Sequence, residues 1–222
     1  MRLLVRQCKE TGEFESPRIR FLSAESKRAS PVLRLHFAHP LSTHTLVPQQ
    51  FPVTRWTLHL DALPSAAAEL SPSVRWKDEV SPQEYLRLYT AVGEPWGWFD
   101  RRLLDESGLT AILQQPRRLF AVFEVDGDAA GFAELCQHED SVEIAYFGLI
   151  PECTGRGLGK ALFREVVTRA TELANGRTVW LTTCSWDSPA ARPFYARMGF
   201  KEVREETIQQ RVPDGFDPPA NA

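Results

Sequence analysis

The chain has 222 residues, 43% hydrophobic and 25% charged, with a formal net charge of -3. That is the composition of an ordinary globular protein, and a balance this close to neutral gives no support for a nucleic-acid partner, which calls for a clustered basic face. No apolar run approaches the ~20 residues a membrane span needs, and Met1-Arg2-Leu3-Leu4-Val5 is interrupted by Arg6, Lys9 and Glu10 before a signal-peptide core can form.

The four cysteines, Cys8, Cys136, Cys153 and Cys184, are scattered without a CxxC pair. This disfavours a disulfide framework or a zinc site, and a reducing cytoplasm is the expected setting. Residues 1–50 carry Arg2, Arg6, Lys9, Arg18, Arg20, Lys27, Arg28 and Arg34 among serines, prolines and histidines. They show no sustained period of 2 or 3.6, so they read as a flexible basic arm or extension. His36, His39 and His44 lie there without a matching carboxylate or cysteine cluster, and no metal is expected.

From Val53 the texture changes. Trp56, Leu58 and Leu60 alternate with Thr57 and His59, the mark of a half-buried strand. Asp61 to Lys77 is a loop with room for a short strand at Val74–Trp76. Ser81-Pro82-Gln83-Glu84 then gives an N-cap, a proline at the first helical position and a capping-box glutamate. Tyr85, Leu86, Leu88, Tyr89 and Val92 form that helix's apolar face, and Gly93 ends it. The aromatic run Trp96-Gly97-Trp98-Phe99 follows, and a second helix is predicted over Ser107–Gln114, before Pro116.

Arg118–Val125 and Ala130–Cys136 are strands joined at Asp126-Gly127-Asp128, and Ser141–Ile150 is a third. Thr154 to Gly159 is a glycine-rich turn. Leu158, Ala161, Leu162, Val166, Ala170 and Leu173 then recur at helical spacing, with Asn175-Gly176 closing the helix. Thr178–Cys184 is a strand and Ser188–Met198 a helix. Phe200–Val203 and Glu206–Val212 read as two terminal strands, before a polar tail from residue 213. Residues 51–212 thus form one mixed α/β unit, long enough to bury about 70% of its chain surface.

The glycine turn is the chemically informative stretch. Gly155, Gly157 and Gly159 leave backbone N–H groups uncrowded where a helix offers its orphan donors and positive dipole end, a cradle for phosphate or pyrophosphate. A Walker A loop fails, because Gly159-Lys160 is followed by Ala161 and Thr154 holds the first glycine position. A dinucleotide fingerprint starting at Gly155 fails at Lys160.

Thr154-Gly155-Arg156-Gly157-Leu158-Gly159 resembles the pyrophosphate loop of the GNAT superfamily of N-acetyltransferases, [QR]-x-x-G-x-[GA] between a strand and a long helix, with Thr154 departing from the usual Gln or Arg. Asp187-Ser188-Pro189 leading to Phe194-Tyr195-Ala196-Arg197-Met198-Gly199-Phe200 is similar to the family's second motif, with Asp187 where Asn is more usual. Trp96 to Arg101 and Thr183 to Asp187 resemble a bacterial subgroup whose substrate is not well defined.

The resemblance implies a mixed, mostly antiparallel sheet of six to seven strands with flanking helices and a splayed parallel pair at the coenzyme site. It implies acetyl-CoA as co-substrate, held by Thr154, Gly155, Arg156, Gly157, Leu158, Gly159, Lys160 and Asp187. Backbone at Phe147, Gly148, Leu149 and Ile150 would pair with the pantetheine amides and supply an oxyanion donor. Glu143 is the expected base, partly desolvated between Val142 and Ile144 as general-base work requires, with Glu134 or a water as the alternatives. Tyr195 is the expected acid. Its phenol, of pKa about 10, can protonate a thiolate only in a concerted transfer or with help from a local field.

Trp96, Trp98, Phe99 and Glu134 would line the acceptor pocket. The acceptor is an amine of a small molecule or protein, and the chain a monomer or homodimer. The alternative is a non-catalytic acetyl-CoA sensor or interaction module of the same fold.

Overall fold

The computed structural model describes residues 4–5, 49–63 and 73–218. The basic arm's arginines and lysines, Cys8 and His36, His39 and His44 lie outside the described residues.

In chain order the elements are β1 (Leu4–Val5), β2 (Gln49–Leu60), β3 (Ser73–Lys77), α1 (Pro82–Gly93), α2 (Glu106–Leu113), β4 (Arg118–Val125), β5 (Asp128–Gln137), β6 (Ser141–Leu149), α3 (Leu158–Ala174), β7 (Thr178–Cys184), α4 (Ala191–Arg197) and β8 (Phe200–Val212). The strands form one sheet in the order β3-β4-β5-β6-β7-β2-β8, with β1 added on β6. Among the described residues β6 and β7 make the single parallel pair, and all other neighbours are antiparallel.

Alternation along the strands builds a core on each face of the sheet. Leu119, Ala121 and Phe123 of β4 join Leu162, Phe163, Val166 and Val167 of α3 and Phe194 of α4. Phe120 and Val122 of the same strand join Tyr85, Leu88 and Tyr89 of α1 and Leu109 and Leu113 of α2.

The caps follow the sequence closely. The Ser81 side chain accepts from the Glu84 N–H at the start of α1, and Asn175 ends α3 in the left-handed conformation at φ 47°. The second helix starts and ends one residue earlier than its apolar pattern suggests, because Asp105 caps it by accepting from the Gly108 N–H at 2.7 Å. The last helix is shorter than expected and begins only at Ala191.

Two readings are corrected. The terminal strands are one strand, β8, whose break in pattern is a bulge: Thr57 faces Arg204 and Leu58 faces Glu202, so Val203 has no partner on β2. β2 also begins earlier than its alternation does. Its first residues, Pro52 included, pair with β8 alone, and a proline is tolerated where a second neighbour is missing.

Candidate active site

β6 and β7 pair from Ser141–Thr178 to Ile144–Leu181, and beyond that point their ladder ends while each strand runs on. A bulge coincides with the divergence. Glu134 faces Tyr146 and Leu135 faces Ile144, which leaves Ala145 without a partner on β5. Ala145 and Tyr146 therefore both turn to the α1 face, while Ile144 and Phe147 belong to the α3 side. The β6 edge past the divergence, at Phe147 and Gly148, is paired antiparallel with Val5 and Leu4 of β1.

β6 leads through a turn at Pro151–Cys153 into the glycine loop. Gly155 and Gly157 adopt φ of 77° and 78°, in the left-handed region that glycine enters without steric cost. Gly157 is the N-cap of α3 and, unlike Ser81 and Asp105, offers no side chain to the orphan N–H groups. No acidic residue sits in the first turn, and Arg156 and Lys160 are exposed beside it. The donors, the dipole and the added cations all favour an anion, so the loop fits a coenzyme pyrophosphate. The Thr154 hydroxyl donates to the Pro151 carbonyl at 2.7 Å and shapes the turn.

Of the carboxylates on β5 and β6, Glu134 is fully buried and enclosed. The Tyr85 hydroxyl donates to its Oε2 at 2.7 Å, Arg101 approaches Oε1 at 3.3 Å, and Arg118 forms a close ion pair with the same oxygen. Arg101 also lies over the Tyr146 ring at 5.3 Å. Burial pushes the Tyr85 and Tyr146 hydroxyls well above their ordinary pKa, while Tyr146 and Glu134 hold Arg101 firmly charged despite its burial. Cys136, next on this face, is pushed up by burial and by Glu134, and its sulfur accepts from Arg118 at 3.0 Å.

Glu143 is buried too, but differently. It stands opposite Cys136 on β5 and Trp180 on β7, one residue before the ladder ends, and alternation places it on the α1 face with Ala145. Its Oε2 meets His138 Nε2 at 3.3 Å. That hydrogen bond raises the His138 pKa above its ordinary 6.5, outweighing the opposing effect of burial.

Tyr195 on α4 is fully buried, with the Phe163 ring 5.3 Å away and Phe194 and Phe200 beside it. Asp187 is buried with one oxygen engaged in its own turn, where Oδ2 accepts from Thr183 Oγ1 at 2.7 Å and the Cys184 N–H at 2.9 Å. The aromatic run is divided. Trp98 packs on Tyr89 and Tyr146 in the α1-side core, and a Cβ on Gly93 would lie 2.3 Å from its ring, so that glycine makes room for it. Trp96 packs at the edge of the same core. Phe99 belongs to a third cluster with Val53, Cys184, Trp186 and Val212.

Three residues of this face went unread in the sequence. Arg101 and Arg118 carry no local signal, because only strand pairing brings them to Glu134. His138 lies in the short connection between the predicted strands Ala130–Cys136 and Ser141–Ile150, and its five-residue separation from Glu143 was the one signal available.

A splayed parallel pair, a glycine turn of left-handed residues and an uncapped long helix define a mixed α/β protein built around an anion cradle at a strand-to-helix junction. The comparisons make the class specific. The profile of the Acetyltransferase (GNAT) family matches residues 81–200, and the chain belongs to that family. It is 33% identical to a mycothiol acetyltransferase of Nocardia farcinica over 175 residues, 73% of this chain and 49% of that protein. The chain thus spans about half the length of that curated relative.

Solved structures agree on the fold. A GNAT-family acetyltransferase from Novosphingobium aromaticivorans superposes with a TM-score of 0.52 at 20% identity, covering 75% of this chain and 67% of its own. A GCN5-related N-acetyltransferase from Sphaerobacter thermophilus gives 0.51 at 22%, covering 80% and 56%. No helix among the described residues is long and apolar enough to cross a membrane, and these residues hold no group of His, Cys, Asp and Glu suited to a metal.

Proposed function

We propose that this chain is an acetyl-CoA-dependent N-acetyltransferase that passes an acetyl group to an amine by direct attack within a ternary complex. The observation that carries the reading is the α3 N-terminus, where left-handed glycines and uncapped N–H groups stand at the end of the diverging β6. The co-substrate supplies an acetyl thioester, an electrophile that a neutral amine attacks without a covalent enzyme intermediate.

The backbone of residues 154–159 holds the pyrophosphate, with Arg156 and Lys160 adding charge. Backbone groups from Phe147 to Ile150 orient the pantetheine arm, and an N–H there faces the developing oxyanion. Glu143 takes the amine proton. In this reading Glu134 is a framework residue, since two guanidinium groups and a tyrosine hydroxyl already engage its oxygens. Tyr195 delivers a proton to the departing thiolate. Residues 51–212 are the catalytic domain and the setting is cytoplasmic.

Titration calorimetry with CoA and acetyl-CoA tests the premise, and absence of binding at millimolar ligand sinks it. CoA release is then followed against an amine panel that includes the acceptor of mycothiol acetyltransferase, spermidine, glucosamine and a lysine peptide. Glu143→Gln and Tyr195→Phe are each expected to lower kcat about 100-fold, within the range of general acid–base contributions. Unchanged turnover in either variant removes its role.

A further inference from the structure

We propose that His138 is the proton exit of this site: it receives from Glu143 the proton taken from the amine and releases it to solvent. The inference rests on Glu143 being the base. A buried base must discharge its proton after every turnover, and with its side chain 3% exposed Glu143 has little direct access to water. The His138 side chain is 45% exposed, so this contact joins the buried carboxylate to the solvent.

The turn that carries the ring is held in place by its surroundings. The His138 N–H donates to the Ser141 carbonyl at 2.8 Å, closing the turn before β6. Arg177 donates to the His138 carbonyl at 2.7 Å and the Glu139 carbonyl at 3.1 Å, and also to the Leu173 and Ala174 carbonyls at the end of α3. One guanidinium thus pins the turn to the helix. Trp180 of β7 flanks the imidazole with ring centroids 6.0 Å apart. The titratable and charged groups facing the pair include Cys136 of β5, Arg118 of β4 with Glu134 and Arg101 behind it, and Asp140 of the turn.

The transfer balances in two steps. Glu143 takes one proton from the acceptor's ammonium form: an N–H breaks, an O–H forms, and nitrogen keeps the pair that makes the C–N bond. The second proton nitrogen loses on becoming an amide replaces the one Tyr195 gives the thiolate. The O–H on Glu143 then breaks as an N–H forms on Nε2 of neutral His138, which restores the carboxylate. The imidazolium turns about its Cβ–Cγ bond into solvent and yields the same proton to water. The second step needs a neutral ring, so the rising limb of kcat with pH belongs to His138, which Glu143 holds above the usual imidazole value.

The test is kcat against pH for wild type, His138→Gln and Glu143→Gln with the four amines named above, with and without imidazole in the buffer. His138→Gln is expected to lower kcat at least tenfold at unchanged KM for acetyl-CoA, to lose the limb, and to recover with added imidazole. Unchanged kcat, or a loss that imidazole does not repair, overturns the relay. If Glu143→Gln is as active as wild type, or no amine releases CoA, the base reading fails and takes the relay with it. Should His138→Gln not fold, NMR titration of the imidazole in the native chain decides. Its pKa must fall in Glu143→Gln, and an unmoved value overturns the contact on which the relay depends.

Discussion

At Gly157 one backbone conformation shapes the proposed pyrophosphate site. A Cβ there would meet nothing within 4 Å, so the obstacle to alanine is the φ of 78° alone. Left-handed backbone costs a non-glycine residue roughly 1–2 kcal/mol, and relaxing it would turn the first N–H groups of α3 away from their ligand. Gly157→Ala should therefore weaken CoA binding about tenfold with little change in melting temperature. Calorimetry beside a thermal melt checks this, and equal affinity would mean the loop does not hold the pyrophosphate.

Glu134 is the reverse case, a residue whose loss harms the fold. Glu134→Gln would take from Arg101, which is 1% exposed, and from the partly buried Arg118 the carboxylate that pairs with both. Removing one member of a buried ion pair costs about 3–5 kcal/mol. Urea denaturation should register a loss of that order, whereas activity per folded molecule should fall far less than in Glu143→Gln.

The turn between β5 and β6 ties stability to pH. His138 has its pKa raised in the folded chain by its hydrogen bond to Glu143. The stability it contributes is thus fully present below the unfolded value of 6.5 and is lost as pH rises through the higher folded value. With the side chain 45% exposed, solvent screening should keep the effect below about 1 kcal/mol. Wild type should melt above His138→Gln in acid and lose that advantage on going to alkaline pH. A gap that widens with pH would contradict the pairing.

The helices of this region were well marked in the chain. Ser81, Pro82 and Glu84 placed α1, and Asn175 with Gly176 closed α3, because a cap acts across a single turn of backbone. The strands were legible only where one face alternates. The bulge at Ala145 was not, and that at Val203 showed only as a break between two apparent strands, since a bulge is a relation between two strands.

Over the whole molecule, β2 is the element that chain order conceals. It precedes every helix among the described residues yet lies between β7 and β8, antiparallel to both, so the carboxyl-terminal half of the sheet is completed from the amino-terminal side. β1 has a sharper consequence. It pairs with β6 at Phe147 and Gly148, the edge assigned to the pantetheine arm. On the proposed reading CoA binding displaces it, and the Leu4 and Val5 amides should exchange with deuterium faster when CoA is added, against the usual slowing by a ligand. Exchange that slows or stays constant would place the arm elsewhere.

The sequence by itself determined the glycine loop, the helix caps and the resemblance to an acetyl-CoA family, because each depends on neighbouring residues and on backbone conformations that few side chains allow. Tertiary structure decided which carboxylate is enclosed by cations and which meets a half-exposed partner. Glu134 and Glu143 look alike along the chain, and only the pairing of β4, β5 and β6 gives one two arginines and the other a half-exposed histidine. Long-range packing sets a carboxylate's partners and access to water, and spacing along a strand does not encode them.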